Sequence, residues 1–285
     1  MKRILITGAN SYIGTSFEKW VARWPEEYQV DTIDTKNGEW QELDFSPYDV
    51  VFHVAGVAHV SSDPKMENLY YKVNRDLTIE IAEKAKSQFV KQFIFMSSII
   101  IYGDSSGSKR VIDINTVPAP SNFYGNSKLQ AEQGIKRLET ADFKIAILRP
   151  PMIYGKGSKG NYPRLSNLAK KTPIFPNIDN ERSMLHIDNL CEFIKVIIDH
   201  EETGVYFPQN KEYVKTSELV KTIAEVHGEK LWMTKLFNPL LRLTFGIGII
   251  NKVFGNLVYE KSISDYDKAN YRIRTFRESI ELTEK

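Results

Sequence analysis

The chain has one cysteine in 285 residues, Cys191. It cannot make an internal disulfide, so it fits either a reducing cytoplasm or a small buried apolar position. Apolar runs of about 18 residues are missing, so no transmembrane helix is expected. Residues 236–258 come nearest, but Pro239, Arg242 and Lys252 interrupt them. That segment reads as amphipathic packing, with membrane-surface contact as the other reading. Gly8, Asn10 and Ser11 break the N-terminal apolar run too soon for a signal peptide. An excess of one charge is lacking too: 38 Lys and Arg stand against 36 Asp and Glu, leaving +2, which makes no case for nucleic acid. His53 and His59 have no further ligands at metal spacing, so no metal is expected and His53 reads as a satisfied buried histidine. No internal repeat or low-complexity linker interrupts the chain.

The chain does have 42% apolar residues and 12% aromatics, enough for a sizeable core in one α/β domain or one domain with a smaller lobe. Residues 3–7 form a short apolar run suited to a parallel strand buried on both faces. Gly8-Ala9-Asn10-Ser11-Tyr12-Ile13-Gly14 follows, and a helix is expected over about residues 12–22. A strand, a glycine turn and a helix N-terminus together make a cradle for phosphate. Ser11 occupies the place of the usual middle glycine. Residues 29–34 read as the second strand. Its closing Asp34 can accept from ribose hydroxyls and favours NAD, whereas Lys36 would accept the 2′-phosphate of NADP, so the preference stays open. Asp44 stands in a second acidic turn, placed either for an adenine amino group or for solvent. Residues 49–56 read as a buried strand ending in small residues, residues 68–87 as a long helix carrying Asn74, and residues 91–96 as a strand leading to Ser98. Another strand is expected over 144–149. Alternating strands and helices imply a doubly wound parallel sheet of the Rossmann type. Residues 1–156 with 184–209 are assigned to it. Residues 157–183 and 210–285 are assigned to a smaller mixed α/β substrate lobe, in which Thr216 is expected to cap a helix over 217–226.

Tyr124-Gly125-Asn126-Ser127-Lys128 carries the chemistry. If a helix starts near Phe123, Tyr124 and Lys128 share one face. An ammonium beside a phenol is expected to lower the phenol pKa, and such a Tyr can exchange a proton with a hydroxyl or carbonyl oxygen. Ser98, at a strand end, can hydrogen-bond the same oxygen.

These residues resemble the extended short-chain dehydrogenase/reductases that act on nucleotide sugars. The resemblance rests on Thr7-Gly8 with Tyr12-Ile13-Gly14, Phe52-His53 with Ala55-Gly56, Asn74, Ser97-Ser98 with Tyr102-Gly103, Tyr124 with Lys128, Leu148-Arg149-Pro150, and Arg182 with His186-Ile187-Asp188. It implies Tyr124 as acid/base, Lys128 as its partner and ribose anchor, and Ser98 as the third catalytic group. It further implies that NAD or NADP is held by residues 8 and 10–14 together with Asp34, Lys36, Asp44, Phe45, Val54, Ala55, Gly56, Asn74, Met96 and Pro151. Ser98, Ile99, Met152, Asn161, Arg164 and Arg182 are the substrate positions it implies, with the arginines suited to a nucleotide diphosphate. Within the family the chain most resembles short bacterial 4-keto reductases of capsule and O-antigen synthesis. Ile99 and Ile100 stand where dehydratases carry an Asp-Glu pair, and Met152 replaces a usual Asn.

The expectation is therefore a cytoplasmic homodimer with no integral membrane segment, transferring hydride between NAD(P)(H) and C4 of a UDP-linked 4-keto-6-deoxy-N-acetylhexosamine. A UDP-sugar 4-epimerase is the first alternative. A non-catalytic NAD(P)-binding regulator is the rival of another class, and such a module has no need of Ser98, Tyr124 and Lys128 together.

Overall fold

The computed structural model describes residues 1–58, 63–105, 110–236, 238–239, 251 and 253–285. His59 and most of residues 237–252 lie outside the described residues. In chain order the strands are β1 (Lys2–Thr7), β2 (Tyr28–Ile33), β3 (Val50–His53), β4 (Gln92–Met96), β5 (Val111–Ile112), β6 (Lys144–Leu148), β7 (Met152–Tyr154), β8 (Ile174–Pro176), β9 (Met184–His186), β10 (Gly204–Tyr206), β11 (Trp232–Thr234) and β12 (Val258–Tyr259). The helices are α1 (Tyr12–Val21), α2 (Glu39–Glu42), α3 (Glu67–Tyr70), α4 (Leu77–Ser87), α5 (Phe123–Lys136), α6 (Asn161–Lys171), α7 (Ile187–Asp199), α8 (Thr216–Val226) and α9 (Phe276–Glu284).

Six strands form one parallel sheet in the order β2-β1-β3-β4-β6-β10. Apolar runs without alternation suit strands covered on both faces, and Ile4, Leu5 and Ile6 are all fully buried. One face packs against α4 and α5, where Ile81, Ala85, Ala131 and Ile135 join Val51, Phe93 and Phe95 in a single cluster. On the other face Phe17 of α1 meets Phe52 edge-on at 5.4 Å between ring centroids, and the Trp20 indole donates to Glu192 of α7 at 3.0 Å. The strand order reverses between β1 and β3, which opens a crevice beyond their carboxyl ends. This is the doubly wound Rossmann-type sheet that the strand–helix alternation predicts.

Two local features differ from expectation. The helix expected over 68–87 is interrupted by a π-helical segment, Tyr71–Asp76, with Asn74 inside it. Such widened turns redirect side chains and recur at functional sites. Thr216 is the first residue of α8 rather than its cap. Its N–H donates to the Asn180 side chain and its hydroxyl donates to the Val253 carbonyl, so tertiary partners replace the local cap.

The chain forms two compact units: residues 1–103, 118–150 and 190–208, and residues 104–117, 151–189 and 209–285. The second unit thus takes in residues 104–117, 151–156 and 184–189, which the sequence reading places with the sheet. It holds the strand pairs β5–β12, β7–β9 and β8–β11 and a core that includes Tyr154, Leu165, Phe175, Val220 and Ile280.

Candidate active site

The sheet unit gathers its polar residues at the strand ends. After β1 the backbone turns at Gly8, whose φ of +117° and close approach to Ala55 (2.8 Å from an added Cβ to the Ala55 nitrogen) leave no room for a side chain. Asn10 is also left-handed, at φ 60°. Ser11 then caps α1, its hydroxyl accepting from the Gly14 N–H at 3.2 Å. The serine that displaces a glycine of the expected motif is therefore a helix cap. A helix N-terminus that follows a glycine turn suits an anion.

At the end of β2, Asp34 accepts from the Lys36 N–H at 3.0 Å, and the Lys36 side chain is exposed. Asp44 is exposed, and the Ser46 backbone and hydroxyl hold its carboxyl below the usual range. The Phe45 ring is fully buried in the sheet core, its N–H donates to Gln88 and its carbonyl accepts from the Tyr48 N–H. An apolar side chain next to a surface turn is drawn inward by the area it can bury. His53 is the satisfied buried histidine expected of it, bonded to Thr7 at 2.7 Å and Thr78 at 3.0 Å. Burial, with Lys128 adding repulsion, pushes its pKa down to about 3.

Asn122 caps α5 by accepting from the Gly125 N–H, so the helix starts at Phe123 and turns Tyr124 and Lys128 to one side. The Tyr124 side chain lies beside Ser98, and its ring meets Tyr70 edge-on at 5.6 Å. Ser98 ends the β4 segment and caps the tight turn Ile99–Tyr102, accepting from Ile100 N–H. Lys128 is buried, donates to the Met96 carbonyl at 3.0 Å and lies over the Phe95 ring. Asn74 is buried too. It exchanges two hydrogen bonds with the Val57 backbone and donates to Ser127, whose hydroxyl donates to the Tyr124 carbonyl. The widened turn of the Asn74 helix is thereby tied to the helix of Tyr124.

The pKa directions correct one expectation. Burial pushes Tyr124 up to about 12, with Tyr70 adding to the rise and the Ser98 bond opposing it. Burial pushes Lys128 down to about 8, opposed by Glu132. Desolvation outweighs any lowering by the lysine, whose ammonium donates to the Met96 carbonyl. Tyr124 is therefore a held proton, and Lys128 is the group that titrates near neutrality.

Whether a dinucleotide fits can be read at Gly56. It is exposed, and an added Cβ would stand 3.1 Å from the Asn74 Oδ1 and 3.3 Å from the Lys128 Nζ. The bare backbone keeps open a cradle edged by an amide and an ammonium, which suits hydroxyl-bearing ribose. Val54, whose N–H donates to Thr7, and Ala55 lead into it. The structure thus brings together Ser98, Tyr124, Lys128, Asn74 and Gly56 in one unit. Pro151, Met152, Asn161, Arg164 and Arg182 belong to the second unit. There Asn161 opens α6 and Arg164 is exposed on it. Arg182 donates to the Gly255 carbonyl at 3.2 Å, and burial lowers its pKa to about 10.

Sequence reasoning missed Glu132. One turn after Lys128, it accepts from the Ser97 hydroxyl and from Arg149 at 2.5 Å, while Arg149 also donates to the Tyr102 hydroxyl at 2.6 Å. An acid spaced four residues from a buried lysine on the apolar side of α5 was the available signal.

The model of the NAD dependent epimerase/dehydratase family matches residues 4–208. The chain is 29% identical to the UDP-glucose 4-epimerase of Vibrio cholerae, covering 90% of this chain and 86% of that protein. It is 25% identical to the N-acetyl-alpha-D-glucosaminyl-diphospho-ditrans,octacis-undecaprenol 4-epimerase of Escherichia coli O157:H7, over 96% and 85%. Among solved structures, a dTDP-4-dehydrorhamnose reductase of Clostridium acetobutylicum shares the fold, with a TM-score of 0.75 at 19% identity over 99% of this chain and 98% of that one. No helix among the described residues is long and apolar enough to cross a membrane. A match across the sheet unit, together with a strand–glycine–helix cradle and a Ser98–Tyr124 pair at the strand ends, identifies the chain as a member of the NAD(P)-dependent epimerase/dehydratase family.

Proposed function

We propose that the chain is a nucleotide-sugar oxidoreductase acting at C4 of a UDP-linked 4-keto-6-deoxy-N-acetylhexosamine, in the supply of bacterial polysaccharide precursors. The observation that carries this reading is Tyr124 standing beside Ser98, with buried Lys128 one turn on. NAD(P) supplies or accepts the hydride. Tyr124, protonated at neutral pH, gives its proton to the sugar oxygen, and Ser98 hydrogen-bonds that oxygen and orients it. Lys128, Asn74, Gly56 and the residue 8–14 turn hold the dinucleotide. Ile99 and Ile100 offer no acid or base for eliminating water, which argues against a dehydratase. Arg164 and Arg182 are assigned to the nucleotide diphosphate. Cys191, buried and in no disulfide, fits a cytoplasmic enzyme.

A second reading, a sugar 4-epimerase, is favoured by the activities named for the Vibrio and Escherichia relatives. Added cofactor separates the two. Stoichiometric oxidation of NADH or NADPH by the UDP-4-keto sugar supports the reductase. Interconversion of UDP-GlcNAc or UDP-glucose without net oxidation replaces it with the epimerase, and neither activity overturns both. Assembly as a homodimer through the Asn74 and Tyr124 helices belongs to the same reading; a monomeric mass in light scattering at micromolar concentration refutes it.

A further inference from the structure

Residues 230–259 contain no Asp or Glu, but they contain Lys230, Lys235, Arg242 and Lys252 amid a large excess of apolar side chains. Glu229 and Glu260 bound the stretch. Its described beginning is β11, which pairs in parallel with β8 so that Trp232 lies beside Ile174. The Trp232 N–H is held by the Pro173 carbonyl at 2.8 Å, so the backbone of this edge is fixed. Alternation then sorts the side chains. Phe175 enters the core of its unit at 2% exposure, while Ile174 is left 47% exposed and Trp232 74%. Leu236, just past the strand, is 79% exposed. Lys171, at the end of α6, and Lys230 and Lys235, at either end of β11, are all exposed. Of the neighbouring acids, Asp179 is bonded to Lys215 at 2.6 Å and is also influenced by Lys235, and Glu229 stands at the margin, so three ammonium groups face one nearby shared carboxylate.

We propose that this face, formed by Ile174, Trp232 and Leu236 with Lys171, Lys230 and Lys235, docks the protein on an anionic lipid surface. An indole with an apolar body and one polar N–H is suited to the headgroup level of a bilayer. Exposed aliphatic neighbours add apolar area to bury, and surrounding ammonium groups are drawn to anionic headgroups. A protein partner with an acidic rim would be recognised by the same charges. However, the six residues of this face include three ammonium groups and no carboxylate, unlike the mixed polar rim of a specific protein interface. The docking surface is independent of the hydride-transfer reading, and its test uses no activity.

The test is cosedimentation of the full chain with sucrose-loaded vesicles of phosphatidylcholine, with and without about one quarter phosphatidylglycerol. Binding is expected with the anionic vesicles, weaker with the neutral ones, and reduced by 0.5 M salt. Trp232→Ser with Leu236→Ser should reduce bound protein at least roughly fivefold, and Lys230→Gln with Lys235→Gln should do so by a similar factor. Melting curves check that both variants fold, and the lysine pair, being exposed, provides an arm that cannot fail through the core. No binding to anionic vesicles, or binding by either variant as strong as that of the parent chain, overturns the proposal. So does a change in molar mass on replacing Trp232 and Leu236 without vesicles, which would assign the face to a second copy of the chain.

Discussion

Arg149 closes on Glu132 through three hydrogen bonds, the shortest 2.5 Å, with the carboxylate side chain only 3% exposed and the guanidinium 12%. The pair joins β6 to α5, and through Ser97 and Tyr102 it reaches both sides of Ser98. Two desolvated charges repay their burial only when both are present and their remaining donors and acceptors are met. Removing one leaves the other stranded. Glu132→Leu should therefore cost about 3–5 kcal/mol in urea unfolding, while the paired replacement Glu132→Leu with Arg149→Met should recover most of the loss. A double variant as unstable as the single one refutes the assignment.

Tyr124→Phe removes a proton and one hydrogen bond but little volume. Turnover should fall by roughly 10² or more while nucleotide affinity changes little. Activity within a few-fold of the parent would remove Tyr124 from the role of acid.

Gly125 carries no side chain because α5 rides directly on the turn that Ser98 caps: an added Cβ would stand 2.8 Å from the Ile100 carbonyl oxygen. A backbone atom cannot yield as a side chain does. Gly125→Ala is expected to lower stability by about 1–3 kcal/mol and to cut kcat, since the Tyr124–Ser98 spacing must open. Unchanged kcat in a folded protein would show that the spacing tolerates the shift.

Lys128 carries a linkage of definite sign. Its pKa is about 8 in the fold against an ordinary 10.5, so the unfolded chain holds the extra proton between those values. Stability of the nucleotide-free protein therefore rises with pH from about 8 to 10.5, and the cost of burying the charge is full below pH 8. Lys128→Met should raise nucleotide-free stability at pH 7 by about 2–3 kcal/mol, an advantage that vanishes by about pH 10.5, while weakening both NAD(P) binding and turnover. Parallel stability curves for the two proteins from pH 7 to 10.5 would contradict it.

Arg182→Ala is expected to raise the UDP dissociation constant by roughly 10- to 100-fold, the value of a partly desolvated charge-assisted pair, and to leave NAD(P) affinity nearly unchanged. The bond to Gly255 gives the competing outcome: a lower melting temperature with normal UDP affinity, seen by calorimetric titration beside a melting curve, would make Arg182 structural.

The sequence by itself determined the frame. Short uninterrupted apolar runs suit strands covered on both faces, so β1, β4 and β6 were legible to within a residue and β3 to within three at its C-terminal end, and strand–helix alternation then favours a doubly wound sheet. The pairing of Tyr124 with Lys128 followed from a helix period of 3.6. What the tertiary structure alone decided were quantities set by neighbours distant in the chain. Burial drives Tyr124 and Lys128 in opposite directions because desolvation penalises a phenolate and an ammonium alike, and the ammonium donates to the Met96 carbonyl, 32 residues away. Glu132 looks like any helix acid until Arg149 and Ser97 are folded onto it. Thr216 opens its helix rather than capping it for the same reason: a cap is a local reading, whereas the Asn180 side chain acts from across the fold.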